Sequence, residues 1–298
     1  MAKKENVDWA QRVADQFASY IETNQTLPWM KGWTTQGIFP SNLQTKHEYR
    51  GVNSLLLGMM GQLRGYETPY YLTIKGMRDL GGTFTDWEGD AKDAGLPIIF
   101  WKPLKVEDKE TGKEKMVFFL RGWMVWSIQH MEGITPPVVE RPVIDVPQAV
   151  EDMFLHYENP PKIEHVLSAS AHYSPALDKI TLPKIEQFKT LGDYAETKAH
   201  EGVHSTGHPS RENRFEKGHV GGHEAYAKEE LVAEIGAAIL LQRLGVEHEM
   251  RRMADYVKGW GSRIKDDPKM LITATNRADK AVNMVLGIEA AQREERAA

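Results

Sequence analysis

The chain holds no cysteine among its 298 residues. Disulfides and thiolate metal sites are therefore excluded, and any metal ion must be held by histidine and carboxylate. The lack of cysteine also fits a cytoplasmic setting. No apolar run approaches the ~20 residues needed to cross a bilayer. The opening stretch MAKKENVDWAQRVADQFASYIE has no apolar core of the kind a secretory leader carries. A cytoplasmic protein with no membrane partner is expected. An excess of positive charge is missing too: the formal net charge is -5, so no global basic field advertises nucleic acid. Residues 1–140 carry 16 Lys+Arg against 17 Asp+Glu. A nucleic-acid footprint there has to come from uneven placement of charge.

What is present marks a globular protein, with 41% hydrophobic and 27% charged residues. The length suits two domains rather than one core. Three prolines within 136–142 cannot continue a helix or a central strand. They place a linker at about 135–150, dividing the chain into residues 1–140 and 141–298. Seven of the eight tryptophans precede it, and five of the eleven histidines cluster between His200 and His223. The two segments are built for different work.

Val7, Ala10, Val13, Ala14, Phe17 and Ile21 recur at helical spacing and predict an amphipathic helix. A Trp-rich loop follows at 29–33, then a helix at 52–63 and a helix or turn at 70–80. Runs at 98–101, 116–120 and 123–128 read as antiparallel strands, with 105–115 as an exposed hairpin loop. The second segment alternates helix and strand. Short extended pieces are expected at 164–167 and 171–173, and 178–183 reads as a proline-ended edge strand. Thr190 caps a helix that runs to about Gly207, and 224–243 is the next long helix. The fold class is α+β.

The run His200-Glu201-Gly202-Val203-His204 sets two imidazoles four residues apart on one helix face. From there both reach a single ion at about 2.0–2.1 Å. Glu201 between them is the catalytic candidate, placed to take up and hand on a proton. Two histidines and a glutamate also decorate many solvated helices, so a third ligand is needed. The next helix supplies it with Glu230, beside the small residues Ala233 and Ala237. Glu229 is the rival ligand. Glu234, one turn after Glu230, is expected to accept a hydrogen bond from a ligand histidine, and Tyr226 to stand near an oxyanion. A third histidine six residues after His204 would define a different class, but Ser210 occupies that position. His, His and Glu suit zinc, with manganese as the alternative. A nuclease would favour a carboxylate-rich magnesium site.

Several segments together resemble ArdC-type antirestriction proteins. They are Tyr49-Arg50-Gly51-Val52-Asn53, Gly81-Gly82, Ile98-Ile99-Phe100-Trp101-Lys102, Tyr173-Ser174-Pro175, Asp178-Lys179-Ile180-Thr181-Leu182-Pro183, His204-Ser205-Thr206-Gly207-His208 and Glu229-Glu230-Leu231-Val232-Ala233-Glu234. The resemblance covers both segments. It implies an N-terminal domain that binds single-stranded DNA joined to a zincin-like metallopeptidase domain of the gluzincin type. It also implies a plasmid or phage origin, a bacterial host cell, and protection of incoming DNA against restriction. The sequence departs from the family pattern at Gly202, where a bulky residue is usual, and at Ser205, where tryptophan is. Neither is a ligand position.

Single strands are held by aromatic stacking beside a basic track. The candidates are Trp29, Trp33, Tyr49, Asn53, Trp87, Trp101 and Trp126, with Lys31, Lys46, Arg50, Lys75, Lys102 and Arg121 for phosphates. For any one of these tryptophans, core packing is the commoner role. Two functions from different classes remain. One is a single-stranded-DNA-binding antirestriction protein whose metal site is ancillary. The other is an active zinc metallopeptidase that cleaves a host protein, aligns it along the strand at 180–182, and uses DNA binding only for targeting.

Overall fold

The apolar stripe of the first helix is the face that it buries. In the computed structural model α1 (Trp9–Asn24) buries Ala10, Val13, Ala14, Phe17, Ala18 and Ile21, whereas Val7 precedes the helix and is exposed. The structure describes residues 7–24, 39–107, 114–138, 143–215, 222–246, 260–261 and 263–288, without the side chains of 102–107, 114–118 and 223. The Trp-rich loop at 29–33 lies outside these residues. After α1 come β1 (Ser41–Asn42), α2 (Gly51–Leu63), β2 (Tyr70–Leu72), α3 (Ile74–Asp79), β3 (Thr83–Phe84), α4 (Asp90–Asp93), β4 (Leu96–Glu107), β5 (Glu114–Ser127) and β6 (Met131–Glu132). The second segment contains α5 (Val146–Glu151), β7 (Lys162–Val166), β8 (His172–Ser174), β9 (Lys179–Pro183), α6 (Leu191–Ser205), α7 (His223–Arg243) and α8 (Pro268–Val285). Among the described residues no helix is long and apolar enough to cross a membrane.

The first segment is organised by a long hairpin. β4 and β5 pair antiparallel from Leu96↔Val125 out to Glu107↔Glu114, so the runs expected as two strands at 116–120 and 123–128 are one. Residues 105–107 and 114–115, expected as parts of a loop, are strand, and the tip at 108–113 lies outside the described residues. Backbone pairing continues here past the apolar core, because a ladder needs a partner strand rather than burial. The sheet order is β1-β2-β5-β4. β4 is thus an edge strand, which is where Pro97 and Pro103 are tolerated. One face of the hairpin is covered by α1: Ile99 is buried there, and the Trp9 ring lies against the bare backbone of Gly122.

The second segment carries a sheet of order β7-β9-β8, with β9 parallel to β7 and antiparallel to β8. The expectation that 178–183 forms an edge is corrected: β9 is the central strand, with Ile180 and Leu182 fully buried. Its proline is the last residue of the strand, and the next amide, Lys184 N–H, bonds Val166 O, so the ladder tolerates it. β8 is the edge.

α6 begins where Thr190 Oγ1 accepts from Asp193 N–H at 3.0 Å, the capping expected from Thr190-Leu191-Gly192-Asp193. α6 and α7 approach closely because Ala195, Ala199, Ala233, Ala237 and Gly236 face the contact with little bulk. A Cβ on Gly236 would stand 2.8 Å from Val203. Gly202 has a comparable reason: a Cβ there would come within 2.5 Å of the Phe154 ring. In this chain Phe154 fills the space that a bulky residue at 202 would otherwise take. Gly236→Val is expected to cost about 2 kcal/mol net, since overpacking a tight contact outweighs the small gain in helix propensity. Urea denaturation reads this directly, and an unchanged midpoint would refute the close contact.

One apolar core runs through both segments. It joins Phe17, Leu55 and Ile98 to Val203, Leu231, Leu271 and Val282, with α8 packed against α1, α2, α6 and α7.

Candidate metal centre

Helical spacing puts His200 and His204 on one face of α6, and the close contact with α7 brings Glu230 to the same point. His200 Nε2 and His204 Nε2 are 3.1 Å apart. Glu230 Oε1 lies 3.2 Å from His204 Nε2, and its Oε2 lies 3.6 Å from His200 Nε2. Donor atoms on a tetrahedral ion at ~2.0–2.1 Å are separated by about 3.3 Å. The three donors sit at that separation without rearrangement, and among the described residues they are the one group of this kind. Two imidazoles and one carboxylate also match the chemistry of a divalent ion with an open position.

The three donors line a cleft of about 450 Å³ together with Glu201, Phe215, Tyr226 and Ala171, His172, Tyr173 and Pro175 at and beside β8. Glu201 is 7% exposed, and no hydrogen bond to its carboxylate is found among the described residues. Tyr226 is half exposed in the same cleft. Tyr173 is held in place by its O–H to Asp178 at 2.8 Å and by Arg211, which also grips Asp178.

Burial would push the His204 imidazole down, but the Glu229 and Glu230 carboxylates bonded to it carry it up to about 9. His200 goes the other way: its burial outweighs the bond to Glu230 and holds it below the ordinary imidazole value. Glu230 is held well below the usual carboxylate range, because the bonds to both histidines overcome its burial. In the ion-free protein the cluster is a strongly coupled nest of charges waiting for a cation.

The carboxylate that meets Nδ1 of His204 is Glu229, at 3.4 Å. This bears on Glu234, expected to accept from a ligand histidine, and on Glu229, the rival to Glu230. Glu234 is buried one turn further along α7 and does not take that place. Glu229 does not join the donor cluster, because the 100° step from Glu230 turns it to the far side of His204. Sequence reasoning missed Arg214, whose guanidinium meets both oxygens of Glu229 at 2.8 and 3.0 Å. No spacing rule links a loop arginine to a helix fifteen residues later.

The nucleic-acid candidates scatter. Tyr49 is 6% exposed and packs in the core beside Tyr71, so its face is not free for a base. Asn53 is 5% exposed and is spent on the backbone of Ile99, donating at 2.7 Å and accepting at 2.9 Å. Neither side chain is open to solvent here. Trp126 is buried and donates to Ala91 O. Lys46 and Arg50 are exposed, and Lys75 is exposed but paired with Asp79. Trp101 is half exposed. Trp29, Lys31 and Trp33 lie outside the described residues, as does the side chain of Lys102.

The structure adds a feature that residue types alone did not single out. Phe100, Phe119 and Trp123 are 44, 45 and 42% exposed. Phe119, Arg121 and Trp123 alternate along β5, and Phe100 pairs with Arg121 across the ladder, so the four share the face that α1 leaves bare. The rings of Phe100 and Trp123 meet edge to face at 5.5 Å, and Arg121 is exposed among them.

Fold and cluster together define the second segment as a zincin-like metallopeptidase domain, and residues 149–277 match the family model of that description. Residues 7–126 match the model of the N-terminal domain of the anti-restriction factor ArdC. The chain therefore belongs to the ArdC-type antirestriction family, with the two matched segments flanking the proline-rich stretch at 136–142. The metal-free and Mn(II)-bound crystal structures of antirestriction ArdC from the R388 plasmid are similar at 28% identity, with TM-scores of 0.75 and 0.76 and coverage of 94% of this chain and 97% of theirs. Two DNA primases TraC of Escherichia coli are 31 and 30% identical over 96 and 91% of this chain. The chain spans only 28 and 19% of the length of those primases.

Proposed function

We propose that this protein binds single-stranded DNA on the bare face of the β4–β5 hairpin and holds a divalent ion at His200, His204 and Glu230, protecting incoming plasmid or phage DNA from host restriction in the bacterial cytoplasm. The observation that carries the DNA half is the exposed set Phe100, Phe119, Trp123 and Arg121. Aromatic rings stack bases of any sequence, and a guanidinium among them meets the phosphate backbone. TraC is named a DNA primase and ArdC an antirestriction protein, which supports the same reading. Trp101 and Lys102 sit on the same hairpin, and Lys46 and Arg50 are exposed elsewhere on the first segment.

The second reading, an active peptidase acting on a host protein, is favoured by Glu201 and by β8. Zinc suits the donor set, and manganese is the alternative, as in the Mn(II)-bound ArdC structure. A divalent ion here supplies Lewis-acid polarisation of a carbonyl oxygen. Glu201 takes the proton of the attacking water and returns it to the leaving amine. β8, the open edge beside the cleft, offers backbone groups to an extended chain. In this reading the substrate aligns along 172–174 rather than 180–182. Tyr226 stands at the cleft to donate to the developing oxyanion.

Glu201→Gln separates the two readings. It is expected to keep the bound metal and to lower hydrolysis of any cleaved protein by about 10²–10⁴. Plasmid transfer into a restricting recipient is measured beside it. Protection that survives Glu201→Gln and falls with Arg121→Glu supports the DNA-binding reading. Protection lost with Glu201→Gln alone transfers the function to the peptidase.

A further inference from the structure

Behind His204, on the side away from Glu230, lies a group of buried charges that peptide hydrolysis does not use. Arg214 and Glu229 have side chains only 4 and 6% exposed. All five N–H donors of the Arg214 guanidinium are spent. Nε donates to Glu229 Oε2 at 3.0 Å and Nη2 to Glu229 Oε1 at 2.8 Å and Val203 O at 2.9 Å. Nη1 donates to Thr206 Oγ1 at 2.8 Å and Glu212 Oε2 at 2.9 Å. The loop after α6 folds back to bring Arg214 there, with Arg214 N–H and Phe215 N–H both bonded to Gly207 O.

We infer that Arg214 and Glu229 act as a positioning pair for His204, fixing which ring nitrogen faces the metal site. The inference rests on the metal reading proposed above. Glu229 Oε1 meets Nδ1 of His204, so Nδ1 is the nitrogen that keeps its proton, and Nε2, which faces His200 and Glu230, is the one left to an ion. The guanidinium fork holds both oxygens of Glu229 and so fixes its carboxylate against Nδ1 of His204. A buried ion pair that served folding alone would have no need to touch a metal-facing imidazole.

The test uses the full chain stripped of metal and titrated with Mn(II) by calorimetry, with Co(II) as a visible probe of coordination. Glu229→Gln is expected to weaken Mn(II) binding by roughly 10–100-fold and to shift the Co(II) absorption. Arg214→Lys, which keeps the charge but breaks the fork, is expected to weaken Mn(II) binding as well and to shift the Co(II) absorption in the same direction. Melting of the metal-free proteins is recorded in parallel. A variant that melts lower yet binds Mn(II) within twofold of wild type has lost only structural support, and that result overturns the inference. If Glu229→Gln does not fold, Arg214→Lys decides by the same criteria. Wild-type protein that takes up neither ion sinks the metal reading itself, which is distinguishable from failure of the pair.

Discussion

Replacing Phe100 and Trp123 together by alanine is expected to weaken binding of a short single-stranded oligonucleotide by roughly 30-fold or more. Stacking on an aromatic side chain is worth about 1–3 kcal/mol per base, and each 1.4 kcal/mol is a factor of ten in affinity. Both rings are more than two-fifths exposed, so their removal leaves no cavity in the core. The melting temperature should therefore stay near that of the wild type while affinity falls. Arg121→Glu is expected to act differently: it reduces the dependence of affinity on salt, because one phosphate contact is lost. Fluorescence anisotropy over a range of salt concentrations measures both effects. Wild-type affinity in the double variant would remove the hairpin face from the account.

His204→Ala carries the second large effect. A structural zinc site is worth about 10–16 kcal/mol shared over its ligands, so loss of one ligand should cost at least ~3 kcal/mol, or more than 100-fold in affinity. Metal at 100 times its dissociation constant adds about 2.7 kcal/mol to stability. The rise in melting temperature on adding Mn(II) should therefore vanish in the variant. The sign with pH follows from His204, whose folded value lies at about 9, above the ordinary imidazole. Its contribution to the ion-free fold is fully present below about 6.5 and is lost as pH rises through about 9. Metal binding runs the opposite way, since the ion must displace that proton, and affinity climbs over the same interval. A pH-independent affinity between 6 and 9 would contradict the charge nest described for this cluster.

Local signals were readable in the chain, and non-local ones were not. His200 and His204 share a face because four residues make one helical turn, and Thr190 announces its cap three residues ahead of Asp193. Glu230 follows from one helix face lined by small residues. Arg214 is different, for it reaches Glu229 only through the fold of the loop between the helices. Strand order is non-local too, so β9 could read as an edge from its proline while lying between β7 and β8. Tyr49 and Asn53 show a further limit: the same residue types serve stacking surfaces and cores, and only packing decides. The converse error hid Phe100, Phe119 and Trp123, whose apolar strand pattern reads as buried until one face proves to have no cover.

Helix α8 is made long after α1 and α2, yet its Leu271, Ala274 and Ala278 are buried in the core that those two helices also line. α1 and α2 thus leave the ribosome with part of their apolar surface unmatched, and it stays uncovered until α8 has been synthesised. During that interval the nascent protein is a natural client for chaperones.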